Sequence, residues 1–144
     1  MLSAGSAEPT GAPYGSLIPP LNNFQVAASG DALEILGAGA GTGFRTNLGL
    51  VELSPTNQMS GTAQVRIRLL DKMSRELDSF LTEVQRTGGR QINDIFAARA
   101  IAPGEAAMIV GEVLQGGLIG AYATLTDNLT NDTEYLGAQL AATE

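Results

Sequence analysis

The chain has 144 residues, enough for one domain around a single core, and it contains neither cysteine nor histidine. Those absences exclude disulfides, thiolate metal sites and every nucleophile that relies on an imidazole base, leaving paired carboxylates, lysine or a bound hard cation as the remaining routes to catalysis. With 15 acidic residues against 8 basic ones, a formal charge of −7, the composition argues against a nucleic-acid partner, which needs a clustered positive surface.

No apolar run reaches the roughly 20 residues of a membrane helix, so no membrane insertion is expected. The start Met1-Leu2-Ser3-Ala4-Gly5 lacks the basic and apolar regions of a secretion signal. A secreted chain would need that signal upstream of these residues or already removed.

Residues 1–20 are Gly, Ala, Ser and Pro with scattered apolar side chains and no helical period, and they read as an extended arm or linker ahead of a single domain over residues 21–144. Within the arm Tyr14, Leu17 and Ile18 precede Pro19-Pro20, a pattern that suits a flexible linker, an ordinary first strand, or a strand added to a neighbouring copy. Residues 32–36 form a short strand candidate. The Gly37-Ala38-Gly39-Ala40-Gly41-Thr42-Gly43 run that follows is expected as a hairpin connection; its GxGxG spacing has neither the following helix nor the lysine of a phosphate cradle.

Residues 44–53 read as a strand with both faces partly buried, residues 54–61 as a polar turn, and Thr62–Leu70 as the clearest strand, with Val65, Ile67 and Leu69 on one side and Arg66 and Arg68 together on the other as solvated edge charges. After a turn at residues 71–75, the segment 77–84 fits two periods, because Leu77, Phe80, Leu81 and Val84 also lie at helical spacing. Flanking strands and the distance between turns favour strand. A tight turn at residues 87–89 leads through Arg90 and Ile92 to a short helix near residues 93–99, with Asn93 or Asp94 as its cap. Residues 106–114 and 118–126 read as strands of one hairpin joined by Gln115-Gly116-Gly117, and residues 135–140 as a closing strand. The sum is an all-β chain: an antiparallel β-sandwich, immunoglobulin-like or jelly-roll-like, with one short helix.

Three segments carry a resemblance: Phe44-Arg45-Thr46-Asn47-Leu48-Gly49-Leu50-Val51, Arg90-Gln91-Ile92-Asn93-Asp94-Ile95-Phe96, and Ala121-Tyr122-Ala123-Thr124-Leu125-Thr126-Asp127-Asn128-Leu129-Thr130-Asn131-Asp132. In this order, across residues 14–140, they resemble a recurring bacterial extracellular β-sandwich module of large secreted and cell-surface proteins. The resemblance implies an extracellular or cell-surface setting and no catalytic residues. The chain departs from that pattern in the charged Lys72-Met73-Ser74-Arg75-Glu76 turn and in Thr133-Glu134, where the module tends to have proline and threonine.

Arg45, Asn47, Arg90, Asn93 and Asp94 recur in such modules, and a network of one buried arginine with carboxylates and carbonyls would organise loops. Asp127, Asn128, Asn131 and Asp132 collect oxygen donors suited to Ca2+, yet the same residue types are the ordinary formers of Asx turns. Asn128-Leu129-Thr130 and Asn131-Asp132-Thr133 are also glycosylation sequons, relevant only in a host that uses them. Tyr14, Tyr122 and Tyr135 are the aromatic side chains able to stack on a carbohydrate, and Asp127 with Asp132 is the carboxylate pair an enzyme would need. The expectation is a structural module that associates with copies of itself through sheet edges and the N-terminal arm. The alternative is a carbohydrate- or calcium-binding adhesion module.

Overall fold

Alternation in Thr62–Leu70 puts Val65, Ile67 and Leu69 on one side of an extended segment, and all three are fully buried. Each such side chain contributes roughly 1.5–3 kcal/mol by leaving water. The computed structural model describes residues 25–54, 62–85 and 88–141. Within them lie β1 (Ala32–Leu36), β2 (Phe44–Glu52), β3 (Thr62–Leu70), β4 (Glu76–Gln85), β5 (Gly89–Ile92), a one-turn helix α1 (Ile95–Ala98), β6 (Met108–Gln115), β7 (Ile119–Asp127), β8 (Thr133–Gly137) and β9 (Gln139–Leu140). Tyr14, Leu17, Ile18 and the rest of the N-terminal arm fall outside the described residues.

The strands form two antiparallel sheets, one of five in the order β9-β1-β6-β3-β4 and one of four in the order β5-β2-β7-β8. Leu33, Ile35, Ile67 and Ile109 from the first face Leu48, Leu50, Ala121 and Ala123 from the second, with Ile95 of α1 fully buried in the same cluster. The chain is therefore an all-β sandwich with one short helix, as the period-two pattern implies.

The connections depart from expectation. Residues 115–118 do not close a hairpin, because β6 belongs to the five-stranded sheet and β7 to the four-stranded one. The turn carries the chain over the end of the core instead. It is held there by Glu52, a buried carboxylate at the end of β2, which accepts hydrogen bonds from the Leu118 N–H at 3.1 Å and from the Ser54 hydroxyl. Residues 37–43 likewise link β1 and β2 in different sheets rather than forming a hairpin. This loop is built, not slack: Ala38 N–H donates to the Ala107 carbonyl at 3.2 Å and Gly104 N–H to the Ala40 carbonyl at 2.8 Å. A Cβ on Gly39 would stand 1.8 Å from the Ala106 carbonyl oxygen, so only glycine lets the two segments meet.

Three other expectations are refined. Residues 135–140 are not one strand, since β8 pairs with β7 and, past Ala138, β9 pairs with β1 in the other sheet. Arg66 and Arg68 do point outward, but β3 is an interior strand, and the two guanidiniums pair with Glu112 at 3.7 and 3.4 Å while Arg68 also meets Glu76 at 2.7 Å. Asp94 occupies the helix N-cap with a left-handed backbone, φ 49°, and makes no side-chain cap. The start of α1 is instead anchored from β2, where the Asn47 side-chain oxygen accepts the Asp94 N–H at 2.8 Å. No helix among the described residues is long and apolar enough to cross a membrane.

Candidate functional site

Strand register brings Arg45, Asn47, Tyr122 and Tyr135 to one surface, the outer face of the four-stranded sheet. Arg45 lies opposite Thr126, Asn47 opposite Thr124, and Gly49 between Tyr122 on one side and Gln91 on the other. Tyr135 of β8 lies opposite Thr124, and Gly137 opposite Tyr122. Directly opposed residues of an antiparallel pair share a face, so these side chains form one continuous surface. The alternate residues, Leu48, Leu50, Ala121 and Ala123, line the core.

At the upper end of this face Arg45 binds the β7–β8 loop. Its guanidinium donates to the Asn128 side-chain oxygen at 2.5 Å and reaches that of Asn131 at 3.5 Å. Asp127 turns its Oδ1 to the backbone N–H of Leu129 at 2.8 Å and of Thr130 at 3.4 Å, and Asn131 takes a left-handed φ of 62°. The loop is thus an Asx turn braced by an arginine. Of the four residues proposed as Ca2+ ligands, two amide oxygens face a guanidinium and one carboxylate oxygen is committed to the backbone. A second cation at Asn128 and Asn131 would meet the Arg45 charge. Among the described residues no three Asp or Glu side chains gather closely enough to hold a metal.

The five residues expected as one network separate into four parts. Arg45 braces the β7–β8 loop and is only half-buried, Asn47 anchors Asp94, and Asn93 accepts a 2.7 Å hydrogen bond from the Gln91 side chain. Arg90 joins none of them; it is exposed on the edge strand β5 opposite Leu50.

At the centre of the face Tyr122 lies across Gly49. A Cβ there would be 2.3 Å from Tyr122 Cζ and 2.7 Å from its hydroxyl, so the glycine makes room for the ring. The Tyr135 ring stands beside it, with centroids 5.9 Å apart and planes 23° apart, and both side chains keep part of their surface in solvent. Burial and the neighbouring Tyr122 hydroxyl push the Tyr135 hydroxyl above its ordinary pKa, so it stays neutral at physiological pH. Gln91 escaped attention as a surface residue in the sequence; its register with Gly49, which places it on this face, depends on pairing that local pattern does not encode.

The outer edges form a second surface. β4, at ten residues, ends the five-stranded sheet and pairs only with β3 among the described strands. Its side chains Leu77 and Leu81 are exposed, Leu81 by 57 %. The N-terminal end of the described chain lies on the opposite flank, where Gln25 accepts a hydrogen bond from the Leu140 N–H of β9 and Ala27 pairs with Ile119.

Compared with known proteins, the chain matches no family, no curated protein and no solved structure.

Proposed function

We propose that this chain is a non-catalytic structural module of the cell surface or extracellular space that associates with copies of itself by strand addition, the N-terminal arm of one copy pairing with β4 of the next. The observation that carries this reading is the ten-residue edge of β4, with its exposed Leu77 and Leu81, on the flank opposite the one from which the arm departs. A long edge strand with apolar side chains offers a ready ladder of N–H and C=O groups to an incoming segment.

Charge supports the arm as the incoming strand better than a second β4. β4 carries Glu76, Asp78 and Glu83 and no basic residue, so two copies edge to edge would repel, whereas Glu8 is the one acidic or basic side chain in residues 1–24. The described chain begins on the flank opposite β4, so adding the arm to β4 of the next copy makes a head-to-tail contact that propagates as an open chain unless the rotation closes it. The extracellular setting rests on the resemblance of the three segments quoted above. The lack of histidine and cysteine fits a chain without catalysis.

Light scattering and negative-stain electron microscopy of the full chain test this. Concentration-dependent chains or filaments are expected, and both deletion of residues 1–20 and Leu81→Lys, which places a charge beside the ladder, should yield monomers with unchanged melting. A full chain that stays monomeric at high concentration defeats the reading.

A further inference from the structure

The two outer faces of the sandwich are chemically unlike. On the five-stranded sheet Glu76, Arg68, Glu112 and Arg66 form a ladder of alternating charge across three strands. On the four-stranded sheet the described residues in register with Tyr122 include no aspartate or glutamate, although the chain has 15 acids. That face presents instead two phenol rings with amide and hydroxyl side chains around them.

We propose that this face binds an uncharged polysaccharide, with successive sugar rings resting on Tyr122 and Tyr135 and their hydroxyls bonded by Asn47, Gln91 and Thr124. Three observations carry it. The first is the glycine beneath Tyr122, which lets the ring lie down on the sheet rather than stand out from it, the pose in which an aromatic face meets the C–H surface of a sugar. The second is that the two rings form one aromatic patch, stacked with centroids 5.9 Å apart and planes 23° apart. The third is the restraint on the polar groups beside them: the Asn47 side chain is fixed by the Asp94 N–H at 2.8 Å and that of Gln91 by Asn93 at 2.7 Å, so little rotamer freedom is lost when a ligand binds. A surface whose described residues are uncharged apart from the already engaged Arg45, partly apolar and set with oriented amides, suits a neutral glycan better than an acidic one. This site lies on the sheet opposite to β4 and does not depend on self-association.

Affinity electrophoresis of the full chain through gels containing laminarin, galactomannan or polygalacturonate tests the proposal. Retardation is expected in at least one of the neutral gels and not by polygalacturonate. Tyr122→Ala and Tyr135→Ala should each weaken it by about tenfold or more, the scale of one lost ring contact. Leu81→Lys, on the other sheet, should leave it unchanged. Tyr135 lies on the edge strand β8, so its variant keeps the test open if Tyr122→Ala fails to fold. Absence of retardation in both neutral gels, retardation by polygalacturonate alone, or retardation that survives Tyr135→Ala with melting unchanged would each overturn the assignment.

Discussion

The two flanks of the sandwich are closed by different means. On one, the backbone itself crosses: β8 completes the four-stranded sheet, the chain turns at Ala138, and β9 completes the five-stranded one, with Ala141 N–H reaching the Ala32 carbonyl at 2.9 Å. On the other, side chains fill the gap. Ile95 and Phe96 of α1 are buried beside β2, and Arg99 reaches back to β4, pairing with Asp78 at 2.7 Å and lying 4.5 Å over the Phe80 ring. Closure by backbone uses up edge hydrogen-bonding groups, whereas closure by side chains leaves β4 with β3 as its one partner among the described strands. The difference makes β4 the flank on which the proposed strand addition would occur.

If α1 is the plug of that flank, Ile95→Ala should cost about 2–5 kcal/mol, read by urea denaturation, because a fully buried side chain leaves a cavity. A loss well under 1 kcal/mol would mean that the flank holds without it. On the opposite flank, ending the chain at Ala138 removes the β9 pairings with Leu33 and Glu34 and should cost about 1–2 kcal/mol, the net worth of a few hydrogen bonds near the surface. Equal losses from the two variants would erase the contrast between the flanks.

The smallest effect is expected from Arg99→Ala. The Arg99 hydrogen bond holds the Asp78 carboxyl below its ordinary value of 3.8. A depressed folded-state pKa stabilises above the unfolded value and loses that stabilisation as pH falls through the folded one. The melting temperature of Arg99→Ala should therefore lie slightly below that of the parent at neutral pH, and the gap should narrow in acid below 3.8, leaving only the contact with Phe80. A gap that widens on acidification would show that the ion pair does not brace this flank.

Much of the architecture is written in single segments. The alternation of Val65, Ile67 and Leu69 reads directly as a strand with one buried face, and the chain keeps that promise. Residues 77–84 show why local period can mislead: Leu77 and Leu81 are apolar but exposed, so two outward leucines mimic a helical stripe on what is β4. Glycine turns announce that the chain reverses and say nothing about which sheet receives it. Residues 115–118 look like a hairpin, yet the carboxylate that positions Leu118 is Glu52, 66 residues earlier. The candidate site was legible as residue types and not as geometry. Arg45 and the Asn128–Asn131 pair were visible separately, and only the pairing of β2 with β7 makes them one arrangement.

That pairing also governs how the molecule can be assembled from its chain. Among the described strands only β3 with β4 and β7 with β8 are neighbours both in sequence and in a sheet; β1 meets β6 and β2 meets β7 along their whole lengths after most of the polypeptide has been made. Long loops must close before those ladders repay the entropy, which places folding in the millisecond-to-second regime of non-local β topologies. A fragment ending at Ile92 would hold β1 and β2 with neither of their principal partners, so the sandwich forms all at once rather than by halves.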